Sequence, residues 1–145
     1  MKYVWAAYKR GVFDHIPEFT PDLDPFAFNG LFLAIIGEKV LGQGGEVWIL
    51  EDKIPVGMIV ATPGGESHIE PHSFWFPEAT PRNKLEFTLR WIIDMKKTYK
   101  LDIWPREKDW KFFHHLCKYG VLRPVGKRRK FFLDGEDAMY FQEVS

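Results

Sequence analysis

The stretch from Glu66 to Tyr99 constrains the fold of this chain most strongly. Its pattern predicts a strand over Ser67–Phe76, a polar connection with two prolines over Pro77–Lys84, and an amphipathic helix over Leu85–Tyr99. A strand that leads into a helix through a short connection is a common place for an anionic ligand. The first N–H groups of the helix are unpaired there, and the helix dipole favours negative charge. The stretch therefore predicts an α/β chain with a candidate anion site at a helix start.

Length and composition predict one domain over residues 1–145 with a substantial core, since 46% of the residues are hydrophobic and 17% are aromatic. The formal net charge of zero argues against a nucleic-acid partner, which usually needs a basic excess. The single cysteine, Cys117, rules out an internal disulfide and favours a reducing compartment. We find no secretory signal and no unbroken apolar run of about 18 residues. We therefore expect a cytoplasmic protein without a membrane partner.

The N-terminal third contains two predicted elements. Lys2–Phe19 fits a short strand or extended start followed by a helix. Asp24-Pro25 is a typical helix start, and the apolar residues of Phe26–Ile36 predict a well-buried helix that ends at Gly37. The glycine-rich Gly42–Gly45 lacks the spacing of a phosphate loop and precedes a strand, so it is interpreted as a turn.

The remaining elements alternate between strands and helices. Turn residues between β-rich segments predict two antiparallel hairpins. One hairpin precedes Ser67, and the other lies at the C-terminus around Asp134-Gly135. The segments are strands Val47–Leu50, Ile54–Thr62 and Leu101–Trp104, helix Glu107–Tyr119 ending at Gly120, and strands Gly126–Leu133 and Ala138–Val144. The resulting order is helix, helix, three strands, helix, strand, helix, two strands. It predicts an α/β (α+β) domain whose central mixed, mostly antiparallel sheet is flanked by helices.

Glu70 and His72 are the candidate catalytic residues, because alternate residues of a strand share a face and either side chain could act as a general base. The alternative is a solvated strand face. His68 lies on the same face, but Pro71 disturbs the pleat and no fourth ligand is evident, so no metal site is predicted. The basic run Lys127–Lys130 could contact coenzyme phosphates, nucleic acid or an acidic protein, or could protect an edge strand from pairing.

The order of elements resembles the GCN5-related N-acetyltransferase (GNAT) fold. The most specific part is the C-terminal half, where Leu101–Pro105, Trp110–Val121 and the closing hairpin follow the family's pattern of strand, aromatic helix, glycine and hairpin. His72–Glu78 and Asp134–Tyr140 also resemble segments of divergent phage-encoded members. The resemblance implies a GNAT-like single domain.

The resemblance further implies an acyl-CoA-dependent N-acyltransferase that uses acetyl-CoA or another acyl-CoA and an unknown amine. The implied coenzyme-binding residues are Phe74, Phe76, Thr80, Arg82, Asn83, Lys84 and Asp109. The chain departs from the family at two points. First, the segment Ala79–Leu85, which matches the family's glycine-rich pyrophosphate loop, contains no glycine and includes Pro81. Second, Leu116 stands where the family usually has a tyrosine that acts as the general acid.

These departures support an alternative hypothesis from another class. In that hypothesis the chain is a non-catalytic GNAT-like phage protein that acts in virion or head assembly, or as a binding module. Its partner would be a phage or host protein, and it would lie in the host cytoplasm or in the virion. A splay between the two central strands near Phe74 and Ile103, open enough for the pantetheine arm of the coenzyme, would favour the enzyme.

Overall fold

A computed structural model describes residues 1–65 and 67–144 of the chain. The elements are α1 (Lys2–Lys9), α2 (Pro25–Ile35), β1 (Glu46–Asp52), β2 (Ile54–Gly65), β3 (His68–Trp75), α3 (Pro81–Met95), β4 (Lys100–Ile103), α4 (Glu107–Cys117), β5 (Leu122–Arg128) and β6 (Ala138–Glu143). The strands form one sheet in the order β1-β2-β3-β4-β6-β5. β3 and β4 are parallel, whereas β1–β2, β4–β6 and β5–β6 are antiparallel. The predicted order and the predicted α+β class with a mixed sheet are both confirmed.

Two compact units can be distinguished within the chain. The first comprises Met1–Thr62 and His72–Lys84, and the second comprises Pro63–Pro71 and Leu85–Ser145. Strand β3 and the α3 region therefore contribute residues to both units, and the two units are described separately below.

Aromatic side chains form the core of the first unit. Val4, Ala7 and Tyr8 lie on one face of α1 at helical spacing, and all three are buried. The Tyr8 ring stacks on the Phe28 ring of α2 with 4.6 Å between the centroids. The Phe13 ring lies 6.3 Å from the Phe28 ring. This packing explains why Lys2–Lys9 is helical from its first residue, so the predicted strand or extended start is wrong: the helical stripe, rather than strand alternation, is the face that is buried.

Asp24 begins α2 as predicted. Its carboxylate accepts a hydrogen bond of 2.7 Å from the backbone N–H of Ala27. The predicted end at Gly37 is wrong, because the helix continues as a π turn over Ile36–Val40 and a 3₁₀ turn over Leu41–Gln43. Glycine costs a helix interior only about 1 kcal/mol, and the continuation buries Val40 in the aromatic core.

The apolar surface of α2 is largely exposed, contrary to the expectation of a well-buried helix. Its buried residues are Phe28 and Phe32, whereas Phe26 is 91% exposed and Leu33 is 58% exposed. The segment Pro25–Gln43 has 19 residues and a mean hydropathy of 1.3, so length and composition alone would let it cross a membrane. Glu38 and Lys39 interrupt the segment, so it contains no unbroken apolar run of about 18 residues. Core helices of soluble proteins satisfy the same two criteria.

Helix α3 begins at Pro81, four residues before its predicted start at Leu85. Thr80 precedes it as the capping residue, and proline is favoured at the first helical position because its missing N–H would be unpaired there anyway. The polar connection after β3 is correspondingly shorter than predicted.

Strand β5 is displaced from its prediction of Gly126–Leu133. It begins at Leu122 and ends at Arg128, and Phe131 lies in the loop that follows. The ring of Phe131 stacks on Trp104 with 4.7 Å between centroids. This tertiary contact therefore holds Phe131 in a loop, although the composition of the segment alone favours a strand.

The second unit packs α4 against one face of β6. Phe141 and Leu116 are fully buried, and the Phe113 ring lies 5.8 Å from the Phe141 ring. Gly120 has a φ of 73°, as predicted for the residue that ends α4. Side chains alternate along a strand, so Tyr140 and Gln142 lie on the opposite face of β6 from Phe141. That opposite face carries the polar groups described next.

Candidate functional site

The second unit contains a connected set of polar side chains, here called the acid–base cluster: His68, Glu70, Asp102, Tyr140 and Gln142. The Asp102 carboxylate is its centre. One oxygen, Oδ2, lies 2.6 Å from His68 Nδ1, and the other, Oδ1, accepts a hydrogen bond from the Tyr140 hydroxyl. Gln142 Nε2 donates to the Tyr140 oxygen at 2.8 Å.

Strand pairing explains how residues so distant in the sequence meet. His68 lies beside Lys100 in the parallel β3–β4 pair, which brings it close to Asp102 two residues further along β4. Asp102 is directly opposite Gln142 in the antiparallel β4–β6 pair. Two residue pairs of β3 and β4 are in parallel register, His68 with Lys100 and Ile69 with Leu101. Beyond these pairs, β3 continues to Pro71 in this unit and β4 continues to Ile103.

The surroundings of the cluster shift two of its pKa values. Burial, together with the hydrogen bond to Asp102, raises the pKa of Tyr140 to about 12, so its hydroxyl remains a donor at neutral pH. Burial and the negative charge of Asp102 raise the pKa of the Glu70 carboxyl. The Asp102 side chain is only 15% exposed, while that of His68 is 33% exposed. The imidazole is thus the more accessible partner of the pair.

This arrangement defines the proton chemistry available to His68. When Nδ1 donates its hydrogen to Asp102, the lone pair of the neutral ring lies on Nε2, which can then accept a proton. The carboxylate orients the ring and stabilises the imidazolium that results. His68 therefore has the geometry of a general base, and Asp102 has that of the carboxylate that orients it.

A cavity of about 290 Å³ adjoins the cluster within the second unit. Its lining includes Tyr140 and Gln142 of the cluster, and Trp104, Lys127 and Arg128 complete much of the wall. The Trp104 ring meets the Tyr140 ring edge-on with 4.0 Å between centroids. The basic run Lys127–Lys130 thus contributes two of its residues to this cavity.

The other predicted base, His72, lies in the first unit. The surrounding chain desolvates its ring and the charge of His15 opposes its protonation, and both effects lower the pKa of His72, although the side chain keeps an exposed surface. His15 itself stacks on Phe74 with 5.7 Å between centroids. Of the two predicted catalytic residues, the structure places Glu70 in the acid–base cluster and His72 in a different environment.

Three of the predicted coenzyme-binding residues, Phe74, Phe76 and Asp109, lie away from the start of α3. Phe74 and Phe76 are buried in the aromatic core of the first unit, so their rings pack against protein. Asp109 lies in the first turn of α4 with an exposed side chain. None of these three positions is by itself a surface for a phosphate group.

The remaining predicted residues lie at the start of α3, where the chain satisfies its own polar groups. The backbone N–H of Asn83 donates to Thr80 Oγ1 at 3.0 Å, and the N–H of Thr80 donates back to Asn83 Oδ1 at 2.9 Å. Asn83 Nδ2 also donates to the Asp52 carboxylate at 2.9 Å. These three residues, Asp52, Thr80 and Asn83, are called the α3 lock below.

The residues at the start of α3 do not fit the pyrophosphate of an acyl-CoA. The fold family holds that group with backbone amides, but here the amides of Phe76 and Ala79 already donate to backbone carbonyls. Pro81 has no N–H, and the N–H of Lys84 donates to the carbonyl of Thr80 at 3.1 Å. Arg82 and Lys84 supply positive charge at this helix start, with the Arg82 side chain exposed.

The tyrosine that usually acts as the general acid in the family has no counterpart at the matching position of α4. Leu116 occupies that position and is fully buried against β6. Tyr140, which the sequence interpretation did not consider, is the tyrosine that the structure connects to the acid–base cluster. Within residues 1–65 and 67–144, no group of three His, Cys, Asp or Glu side chains is placed to hold a metal ion.

Comparison with known proteins identifies the fold. No family model matches the chain, and no curated protein matches it. Three solved structures are similar along nearly the whole chain, at 12% sequence identity each. A ribosomal-protein-alanine N-acetyltransferase from Brucella melitensis has a TM-score of 0.67 and coverage of 98% of this chain and 92% of that one.

The other two neighbours are also acetyltransferases. A GNAT superfamily phosphinothricin acetyltransferase from Sinorhizobium meliloti, in complex with AcCoA, has a TM-score of 0.69, with 99% of this chain and 83% of that one covered. A spermidine N-acetyltransferase chimera from Vibrio cholerae and hSSAT has a TM-score of 0.72, with coverage of 97% and 88%. The chain therefore has the fold of the GNAT acetyltransferases.

Proposed function

We propose that this protein transfers an acyl group from an acyl thioester, of which acyl-CoA is the family's usual form, to an amine. The observation that carries the proposal is the pairing of His68 with Asp102 in the acid–base cluster, whose members Tyr140 and Gln142 line a cavity of about 290 Å³. The GNAT fold supports the reaction class, since its neighbours include N-acetyltransferases.

The cluster's own residues supply the proton transfers that such a reaction needs. As the amine nitrogen bonds to the acyl carbon, the carbon–sulfur bond of the thioester breaks and the thiolate leaves. His68 Nε2 accepts the proton that the amine loses and returns it to the thiolate, which departs as the thiol. Asp102 stabilises the resulting imidazolium, Tyr140 donates to the carboxylate and holds it in position, and Gln142 donates in turn to the Tyr140 oxygen. Glu70 adds a second carboxyl group on the same strand face.

Replacement of His68 tests this assignment. We expect His68→Gln to lower kcat by about 10²- to 10⁴-fold, the usual contribution of a general base. Asp102→Asn should also lower kcat and should change the pH dependence of the reaction, because the amide no longer stabilises the imidazolium. Activity is measured as thiol release from acetyl-CoA and from S-acetylpantetheine in the presence of a polyamine, an aminoglycoside or an amino-acid amide.

His115→Gln is the matched control, since His115 is an exposed histidine on α4. It should leave kcat unchanged. Equal rates for the wild type and His68→Gln would contradict the role of His68. Thiol release no faster than in buffer, with every donor and acceptor, would contradict the proposed reaction.

A non-catalytic role is the second candidate, and the α3 lock is the observation that favours it. In that case the fold serves as a binding module, for example in virion assembly if the gene is carried by a phage, and its partner is a phage or host protein. Its location would then be the host cytoplasm or the virion. Calorimetry with acetyl-CoA and S-acetylpantetheine distinguishes the two candidates: binding of neither compound at about 1 mM, a weak affinity by the usual scale, would favour the binding module.

A further inference from the structure

The α3 lock points to the kind of acyl donor that the protein accepts. We infer that the donor is an acyl thioester recognised without its nucleotide pyrophosphate, so that Asp52 and Asn83 act as residues that determine donor specificity. This inference rests on the proposed function. Its central claim, that pyrophosphate does not bind at the start of α3, is tested independently of turnover.

The first step of the argument concerns hydrogen-bond donors. A pyrophosphate at a helix start is held by backbone N–H groups that have no other partner. At α3 the Asn83 N–H already donates to Thr80, and Pro81 contributes none. A phosphate oxygen would have to displace the Thr80 hydroxyl, which leaves that hydroxyl without its partner. The net gain from such an exchange is small, because one hydrogen bond replaces another.

The second step concerns charge. Asp52, at the end of β1, places a carboxylate 2.9 Å from the Asn83 side chain. The Asn83 amide relays this contact to the helix start, so the site already contains an anion. A second, more highly charged anion at the same helix start would be repelled. Lys84, which is half-buried, and Arg82, which is exposed like Asp52, offset part of this repulsion, so charge opposes pyrophosphate less strongly than the occupied hydrogen-bond donors do.

The third step concerns rigidity. Asn83 is only 7% exposed, and its side chain makes hydrogen bonds to both Thr80 and Asp52. Breaking these contacts to admit a ligand would leave buried polar atoms unpaired, which costs more than an exposed hydrogen bond does. The lock is therefore a stable part of the fold, and the nucleotide end of a coenzyme is not the part that the chain grips here.

The decisive measurement is a titration of the wild-type chain with inorganic pyrophosphate, followed by calorimetry and by amide NMR shifts of Thr80 and Asn83. We expect no saturable binding up to about 5 mM, the range where weak phosphate sites are still detected. Saturable binding below about 1 mM with shifts at Asn83 would overturn the inference, whether or not the protein is an enzyme.

A variant that opens the lock provides the positive control. The double variant Thr80→Gly with Pro81→Gly removes the hydroxyl that occupies the Asn83 N–H and adds an amide at position 81. We expect it to bind pyrophosphate at least about tenfold more tightly than the wild type, as one or two charge-assisted hydrogen bonds would allow. The matched control is Thr20→Gly with Pro21→Gly, which changes an identical exposed dipeptide elsewhere in the same unit and should bind no better than wild type.

Asp52→Asn provides a variant of nearly unchanged shape if the double variant fails to fold. It removes the carboxylate's charge and should also strengthen pyrophosphate binding, and no change in binding would contradict the charge argument. With thioester donors, we expect kcat/KM for acetyl-CoA and S-acetylpantetheine to agree within about threefold, because the nucleotide adds little binding energy. A preference of tenfold or more for acetyl-CoA would overturn the inference while leaving the proposed acyl transfer intact.

Discussion

Glu70 illustrates how the environment of one residue sets its chemistry. Its side chain is half-buried and lies near the negative charge of Asp102, so its charged form is disfavoured and its pKa is raised. A carboxyl group with a higher pKa in the folded chain binds its proton more tightly when folded. Stability therefore falls as pH rises from the ordinary carboxyl pKa through the raised value.

Glu70→Gln should consequently stabilise the protein at neutral and alkaline pH. We expect its free energy of unfolding to exceed that of the wild type at about pH 8 and the difference to shrink toward about pH 4, where both chains carry a neutral side chain. Urea denaturation across this pH range measures the effect. A difference that grows toward low pH would contradict the assigned direction of the pKa shift.

The sequence identified part of the acid–base cluster at the residue scale. Strand alternation singled out Glu70 and noted His68 on the same face, but it gave no reason to connect them with Asp102 or Tyr140. Those residues follow His68 by 34 and 72 positions, and the contacts depend on which strands pair. A side chain's partner across a sheet is set by long-range register, which a single sequence does not encode locally.

Close backbone packing governs the elements of the first unit. Gly57 of β2 lies against β3, where an added Cβ would come within 2.7 Å of the Trp75 ring and 3.0 Å of the Phe74 carbonyl oxygen. Glycine is required here by space, since only a residue without a side chain lets the ring approach so closely.

Gly57→Ala should destabilise the protein by about 1–3 kcal/mol, the usual cost of overpacking. Thermal or urea denaturation measures it. Gly126→Ala is the matched control, because Gly126 is also a strand residue and a Cβ there would meet no heavy atom within 4 Å. A loss of stability of the same size in both variants would show that strand glycines are interchangeable here, contrary to this expectation.

Element prediction succeeded where local chemistry decides and failed where tertiary contacts do. The Asp24 cap and the left-handed Gly120 mark helix ends in the sequence, and both are confirmed. Burial of α1 against α2 decided in favour of a helix at Lys2–Lys9, and the stacking of Phe131 on Trp104 ended β5 early. Neither contact has a local signature.

Charge balance is a property of the whole molecule with a direct consequence for its handling. The chain has 20 basic and 20 acidic residues, which gives a formal net charge of zero at pH 7. Proteins without net charge associate more readily because little electrostatic repulsion keeps them apart.

We therefore expect a solubility minimum near neutral pH and clearer solutions at about pH 5 or pH 9. Light scattering of concentrated samples across this range measures the minimum. Equal scattering at all three values would indicate that local patches, rather than net charge, control association.

Fold and chemistry separate at the scale of the whole chain. The order of its elements sufficed to predict the GNAT fold, and the fold is shared with structures at 12% identity. The same resemblance implied a phosphate-binding helix start, where the structure has the α3 lock instead. Topology tolerates such changes because a sheet and its helices depend on buried apolar pattern, whereas a ligand site depends on a few polar atoms.

The π turn at Ile36–Val40 has an implication for length variation in this chain. A π turn is an α-helix that accommodates one additional residue without turning the faces before and after it out of alignment. Phe32 before the turn and Val40 after it are both buried in the same core. Removal of one residue between them would restore a regular helix while both side chains keep their places, which makes this turn a point where homologues can differ by a single-residue insertion or deletion.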